Sequence, residues 1–114
     1  MKFISIWKVD ARLLDGPGPT QENMQQMGQL IGEMTQAGVL VDTGGVMQRG
    51  AALRVRRTGP KVSVTDGPFT ETKEVVGGFA ILNVASKEDA IAWTRRFVEA
   101  AGDGEAELHE LAEY

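Results

Sequence analysis

Two segments of the chain alternate as β-strands do, yet each carries apolar side chains on both of its faces. In residues 2–9, Phe3 and Trp7 lie on one face while Ile4 lies on the other. Residues 78–84 repeat this two-sided pattern with aromatic and aliphatic side chains. A sheet that contains both strands needs a cover on each side, because a large apolar surface left open to water is unfavourable.

Two segments that are far apart in the sequence are predicted to be helices. The first runs from its N-cap Thr20 to Gly38, and the second runs from its N-cap Ser86 to Gly102. Apolar residues recur at helical spacing in both. The predicted core stripes consist of Met24, Met27, Ile31 and Met34 in the first helix, and of Ala90, Trp93, Thr94, Phe97 and Ala101 in the second. The methionine stripe is interpreted as core rather than as a ligand pocket.

The remaining segments are predicted to be strands and loops. Residues 39–41 form a short apolar strand, and residues 51–57 and 62–64 form a hairpin. Residues 66–77 are mostly polar and show no clear period, so the next strand is expected to start at Gly78. The residue types of the tail from residue 105 to residue 114 favour a helix, but its alternating acids also suit a strand. An edge strand that closes the sheet is predicted, because a sheet with two helices needs a closing partner.

This order of elements predicts a single α+β domain over residues 1–114, a ferredoxin-like sandwich. Its antiparallel sheet carries two helices on one face. A chain of 114 residues is too short to supply a second layer over the other face. We therefore expect a homodimer in which two sheets face each other and enclose a partly barrel-like interior, a dimeric α+β barrel.

The composition excludes several classes of chemistry. The chain has no cysteine and one histidine, which excludes disulfides, thiolate zinc sites and histidine-rich metal clusters. No cofactor and no metal site are expected, since no loop has the acid spacing that a hard cation requires. The net charge of -4 argues against direct nucleic-acid binding. Without an export signal or a membrane-spanning apolar run, a cytoplasmic protein without membrane contact is expected.

The most distinctive stretch of the chain is residues 62–79. It contains Asp66-Gly67-Pro68-Phe69, followed by Glu71, Lys73-Glu74 and Gly77-Gly78-Phe79. This stretch resembles the YCII-related family, specifically the subgroup named after its Asp-Gly-Pro-Phe signature. The resemblance extends over essentially the whole chain, from the aromatic-rich first strand to the helix that contains Ala90 and Trp93.

The resemblance implies a dimeric ferredoxin-like α+β fold and a biochemical role that is largely unassigned. Some relatives are joined to, or encoded near, sigma factors of the extracytoplasmic-function type. The wider superfamily includes members thought to be enzymes, with a His on the first helix paired to an Asp near the end of the second. Residues 20–38 contain no His, and the end of the second helix reads Arg95-Arg96-Phe97-Val98, so that dyad does not carry over.

The polar loop after Asp66 has two interpretations. In the first it is a rigid turn, in which the Asp66 carboxylate accepts backbone hydrogen bonds and Pro68 restricts the chain. In the second it is a binding loop at a sheet edge, flanked by glycines. The candidate ligand-binding residues are Asp66, Phe69, Glu71, Lys73 and Glu74 in the loop, with Trp7 and Phe79 on the two-sided strands.

Two further groups of polar residues have alternative interpretations. His109 is expected at the surface near Glu107 and Glu110, with a catalytic role as the alternative. The hairpin is basic in an acidic protein, through Arg49, Arg54, Arg56, Arg57 and Lys61. These cations form either a solvated edge that discourages strand aggregation or a seat for an anionic ligand or acidic partner.

Three functional hypotheses follow from the sequence. The first is a small dimeric protein that binds a small molecule in a cleft between its sheet and the loop from Asp66 to Gly78. The second is a non-catalytic interaction module that serves a sigma-factor regulatory system. The third is an acid-base enzyme that uses carboxylates, which a single histidine makes the least favoured.

Overall fold

A computed structural model describes residues 1–47, 52–67 and 73–113 of the chain. The strands are β1 (Lys2–Asp10), β2 (Leu40–Gly45), β3 (Leu53–Thr58), β4 (Lys61–Asp66), β5 (Glu74–Asn83) and β6 (Glu105–Glu110), and the helices are α1 (Gln21–Gln36) and α2 (Lys87–Ala101). A short 3-10 helix, Ala11–Asp15, follows β1. The predicted order of elements is confirmed, and so is the strand in the C-terminal tail.

Four of the strands form an antiparallel sheet in the order β2-β5-β1-β6. Because β5 is antiparallel to both β1 and β2, those two strands run parallel to each other on either side of it. Each helix joins two parallel strands that have a third strand between them, as in a split β-α-β unit. The two strands that the sequence marks as apolar on both faces, β1 and β5, are the central pair of this sheet.

The two helices cover one face of the sheet, and the buried core lies between the two layers. Phe3 of β1 and Leu82 of β5 are register partners, and both contribute to the core. They are buried together with Leu30 and Met34 of α1 and Ala90 of α2. The covered face is the one that carries the odd-numbered residues of β1.

Side-chain caps fix where each helix begins, as the sequence predicts. The Thr20 hydroxyl accepts a hydrogen bond from the Asn23 backbone N-H, and the Ser86 hydroxyl accepts one from that of Asp89. The two helices are also tied to each other. The Asn23 side-chain amide donates to the Ala100 carbonyl at 3.0 Å. This hydrogen bond joins the start of α1 to the end of α2 above the sheet.

Three details of the predicted elements are wrong. β5 begins at Glu74 rather than at Gly78, because the backbone from Glu74 onward already pairs with β1, beginning at Asp10. In α1, Met24 is 56% exposed, whereas Leu30, absent from the predicted stripe, is 3% exposed. At the end of α2 the buried alanine is Ala100, whereas the predicted Ala101 is only partly buried.

The strands β3 and β4 form a separate two-stranded sheet rather than an edge of the main one. They are joined by a two-residue turn in which Gly59 has a φ of 60°, a conformation that a hairpin turn of this length favours for glycine. Every residue of both strands is exposed. In the described part of the chain, no helix is long and apolar enough to cross a membrane.

Candidate functional site

A cavity of about 300 Å³ lies between the main sheet and the two helices. The strands β1, β2 and β5 form its floor, and α1 and α2 form its walls. Its lining is mainly apolar and includes four aromatic residues, Trp7, Phe79, Trp93 and Phe97. Met27, Leu30, Ile31 and Met34 line it from α1. Three of the four residues of the predicted core stripe, Met27, Ile31 and Met34, therefore also form one wall of this cavity.

Trp7 is the tryptophan that a strand of the main sheet carries, so the sheet fixes the position of its indole ring. Trp7 is paired with Gly78 on one side and with Ala106 on the other, which directs its side chain to the helix-covered face. There its ring meets that of Phe97 edge to face, with centroids 5.2 Å apart and planes at 84°. Aromatic pairs favour this arrangement, so the two rings form one rigid corner of the cavity.

Two glycines make room for the Trp7 ring. A Cβ at Gly104 would lie 2.5 Å from the Cη2 and Cζ2 atoms of Trp7 and 2.8 Å from the Lys8 carbonyl oxygen. A Cβ at Gly77 would lie 2.9 Å from the Trp7 Cδ1 atom. Contacts this short are repulsive, so any larger residue at either position has to displace the indole. Gly77 and Gly104 are therefore part of the site through the space they leave free.

The second tryptophan is held from the outside of the α-helical layer. The Arg96 guanidinium lies 5.3 Å from the centre of the Trp93 ring, within the range of a cation-π contact. The same guanidinium forms an ion pair with Glu33 of α1. Arg96 thus restrains the Trp93 ring and connects α2 to α1 beside the cavity.

Three hydroxyl-bearing side chains, those of Ser5, Thr43 and Thr94, belong to the described cavity lining, beside the indole N-H groups of its two tryptophans. The Thr43 hydroxyl donates to the Phe79 carbonyl oxygen at 2.9 Å. The Thr94 Oγ1 atom is buried and has no hydrogen-bond partner among the described residues. A buried hydroxyl without a partner is costly, so Thr94 is the lining residue that would gain most from a hydrogen bond to a bound molecule.

The structure brings two of the sequence-predicted site residues to this cavity. Trp7 lines it with its indole. Phe79 is also a lining residue, on strand β5. Because it pairs with Ile6, its ring lies on the opposite face of the sheet, where it covers Gly44. Both residues were selected because they lie on the two-sided strands.

The described residues of the predicted loop lie elsewhere. Asp66 is exposed and ends β4, where it pairs with Leu53 in the separate hairpin. Lys73 accepts a hydrogen bond from the Ala11 backbone N-H at its carbonyl oxygen, and Glu74 pairs with Asp10 at the start of β5. None of the three is among the residues that line the cavity. The predicted residues Phe69 and Glu71 lie outside the described residues, as does Arg49 of the basic group.

The uncovered face of the main sheet carries a polar network beside apolar side chains. The Lys8 ammonium donates to one Glu107 carboxylate oxygen at 2.7 Å, and the His109 Nε2 atom lies 2.6 Å from the other. Because a carboxylate accepts only, His109 donates from Nε2. These bonds lower the pKa of Glu107, with the Lys8 hydrogen bond as the largest cause, and Glu107 in turn raises the pKa of Lys8.

His109 lies at the surface, with 54% of its side chain exposed. Its described partner is Glu107, which lies on the same strand two residues away. Within residues 1–47, 52–67 and 73–113, no group of three or more His, Asp or Glu side chains is placed to hold a metal ion.

We predict that Gly104→Ala lowers the free energy of unfolding by about 1–3 kcal/mol, because the added methyl group overpacks against Trp7. Gly28→Ala is the matched control. It lies on exposed α1 surface with nothing within 4 Å of its added Cβ, and it should stabilise by about 0.5–1 kcal/mol. Urea unfolding measures both changes, and equal effects would contradict the proposed role of Gly104.

We also predict that Lys8→Met raises the pKa of Glu107 toward its ordinary value, since the strongest hydrogen bond to the carboxylate is lost. A pKa lowered by folding stabilises the folded state above the ordinary carboxyl pKa, and this contribution disappears as the pH falls through the lowered value. Carboxyl 13C NMR titration measures the shift. Lys2→Met, at the other end of β1, should leave the Glu107 titration unchanged; a shift in both variants, or in neither, would refute the assignment.

Comparison with known proteins identifies relatives over nearly the whole chain. The YCII-related domain matches residues 1–111. An uncharacterised protein of Rhizobium meliloti (strain 1021) is 30% identical over 92 residues, which covers 80% of this chain and 74% of that protein.

A solved structure shares the fold. It is the 5-chloro-2-hydroxyhydroquinone dehydrochlorinase TftG from Burkholderia phenoliruptrix AC1100, in complex with 2,5-dihydroxybenzoquinone. The TM-score is 0.56 at 13% sequence identity, and the match covers 100% of this chain and 96% of that one. With a family match over residues 1–111 and the α+β topology described above, the chain belongs to the YCII-related domain family.

Proposed function

We propose that this protein binds a small, flat and mostly apolar ring compound in the cavity between its sheet and its two helices. The observation that carries the proposal is the combination of an aromatic-walled cavity with one buried hydroxyl, that of Thr94, that has no described partner. The first sequence-based hypothesis, a small-molecule binding protein, is kept. Its site moves from the loop to the space beneath α1 and α2.

The size of the cavity selects the class of ligand. A volume of about 300 Å³ is at the lower limit of cavities that hold small molecules, so it suits a single ring better than a nucleotide or a peptide. Trp7, Trp93 and Phe97 offer ring faces and edges to such a ligand, and aromatic contacts of this kind add to the gain from burying apolar surface.

The Thr94 hydroxyl adds a preference for a ring that carries oxygen. This group has no hydrogen-bond partner among the described residues, and a ligand hydroxyl or carbonyl within reach would supply one. The solved TftG structure supports this class, because its ligand is a ring compound with hydroxyl and carbonyl oxygens. We extend only that chemical class, an oxygenated six-membered ring, to the present chain.

We propose binding rather than acid-base catalysis as the activity of this cavity. The polar side-chain groups among its described lining residues are hydroxyls and indole N-H groups, which hold a ligand without exchanging protons near neutral pH. The titratable network of Lys8, Glu107 and His109 lies on the opposite face of the sheet, so it is separated from the cavity by the backbone of β1 and β6.

The test uses 2,5-dihydroxybenzoquinone and benzene as a matched pair of probes, with binding followed by calorimetry and by tryptophan fluorescence. Both tryptophans of the chain line the cavity, so a ligand there quenches the emission directly. Thr94→Val should weaken binding of the oxygenated ring by about five- to tenfold, the value of one hydrogen bond, and leave benzene binding unchanged.

The stability of Thr94→Val separates a lost contact from a damaged fold. Because the variant removes a buried hydroxyl without a partner, its free energy of unfolding should be equal to or above that of the natural chain. Thr65→Val, on the exposed hairpin, is the control and should bind both probes normally. Absence of binding by either probe, or equal weakening of both by Thr94→Val, would overturn the proposal.

We further propose that the uncovered face of the main sheet joins two copies of the chain. Register pairing places Ile4 opposite Ile81 and Ile6 opposite Phe79 on that face. These four apolar side chains form a cluster at the centre of the sheet with no helix over them. Packing two such faces together removes the cluster from water and gives the dimeric barrel that the sequence predicts.

Ile81→Lys tests this arrangement, because it places a charge at the centre of the proposed contact. The mass of the particle in light scattering should fall at least twofold, while Ile91→Lys, on the exposed side of α2, should leave it unchanged. A natural chain that is monomeric at micromolar concentration would contradict the proposed sheet contact.

A further inference from the structure

The hairpin formed by β3 and β4 has one apolar face that nothing in the described chain covers. Leu53, Val55, Val62 and Val64 point to the same side, because they belong to alternate rungs of the ladder. Their exposures are 64%, 70%, 62% and 65%. We call these four residues the hairpin stripe.

The opposite face of the same hairpin is polar throughout. It carries Arg56, Lys61, Thr58, Ser63 and Thr65, together with Arg54. The contrast between the two faces is that of a sheet with one solvated side and one packed side. An isolated two-stranded hairpin is marginally stable in water unless its apolar face packs against something. The pattern of β3 and β4 therefore indicates that a partner covers the hairpin stripe.

The hairpin is also separate from the main sheet, since neither of its strands pairs with a strand of that sheet. The radius of gyration is 16.1 Å, whereas a compact domain of this length has about 13 Å. Because every residue of β3 and β4 is exposed, the hairpin is accessible to a second molecule.

The charges on the stripe face identify which molecule fits it. That face ends in Asp66, on the rung of Leu53, and in Arg57, on the rung of Val62. The rung of Val55 and Val64 lies midway between these two ends. The face therefore has an acidic end, an apolar centre and a basic end. When two such faces meet in opposite directions, each acidic end lies against a basic end.

We propose that the hairpin stripe packs face to face against the hairpin stripe of a second copy of the chain, with the two hairpins antiparallel. A twofold axis through the rung of Val55 and Val64 brings each of these residues opposite its own equivalent. The Arg57 rung of one copy then meets the rung of the other copy that carries Asp66. The Arg57 Nε atom donates to the Gly59 carbonyl at 2.8 Å, which holds the guanidinium near the tip of the hairpin.

This contact is distinct from the contact between main sheets proposed above, because it uses a separate two-stranded sheet. It does not depend on the cavity or on its ligand. Of the four cations in residues 53–66, the contact uses Arg57 alone, because Arg54, Arg56 and Lys61 lie on the opposite face of the hairpin.

The absence of cysteine from the natural chain makes cross-linking a direct test. Val64→Cys places a single thiol at the proposed twofold axis, and Ser63→Cys places one on the opposite face of the same strand. Under mild oxidation or with a short bis-maleimide, Val64→Cys should form the two-chain product at least about tenfold faster, because its thiols are held close together.

Charge exchange tests the orientation of the two hairpins. In the Val64→Cys background, Arg57→Asp or Asp66→Arg alone should slow cross-linking by about tenfold, since each creates like charges at both ends of the contact. The double variant should restore the rate, because the exchanged charges again meet their opposites.

Three outcomes would overturn the proposal. The first is equal cross-linking rates for Val64→Cys and Ser63→Cys, and the second is a double variant that cross-links no faster than its single variants. The third is a Val64→Cys chain that forms no two-chain product at micromolar concentration. Since each variant changes an exposed residue of β3 or β4, folding of the main sheet is not at stake.

Discussion

The site depends on one constraint, the packing of the Trp7 indole against the backbone of two glycines. The ring occupies space that a Cβ at Gly77 or Gly104 would fill, and Phe97 closes its remaining side. Because Trp7 is on a central strand, its position follows from the register of the whole sheet. The cavity lies beside this ring. Its shape depends on the large Trp7 side chain and on the absence of side chains at Gly77 and Gly104.

The main sheet separates two kinds of surface that the sequence alone presents as equivalent. The side beneath the helices encloses the cavity, while the other side carries apolar residues such as Ile4 and Ile81 next to the network around Glu107. The proposed binding and the proposed assembly therefore use opposite faces of the same two strands. Together the two proposals would account for the apolar residues on both sides of β1 and β5.

The general fold could be predicted because its signals are local. Alternation marks β1, and the caps Thr20 and Ser86 mark the helices. The predicted start of β5 is wrong because Glu74 and its neighbours pair with β1 through their backbone. Their side chains do not alternate between apolar and polar, so the sequence gives no sign of a strand there. Local patterns do not report this kind of long-range pairing.

The site could be predicted only in part. Trp7 was selected from its two-sided strand, but its contact with Phe97 joins residues 90 positions apart, and no spacing rule reveals it. Thr94 was assigned to a core stripe, which is correct in position but does not show that its hydroxyl has no partner. The motif at Asp66 predicts a site in the loop, whereas the cavity is built from glycines and apolar residues that form no motif.

The most direct test of the central claim is to locate a bound ring by intermolecular nuclear Overhauser effects. With 2,5-dihydroxybenzoquinone as the probe, the account predicts contacts from its ring protons to Trp7, Phe97 and the Thr94 methyl group. Contacts to Lys73 and Glu74, or to Ile4 and Ile81 on the uncovered face, would place the ligand elsewhere and contradict it.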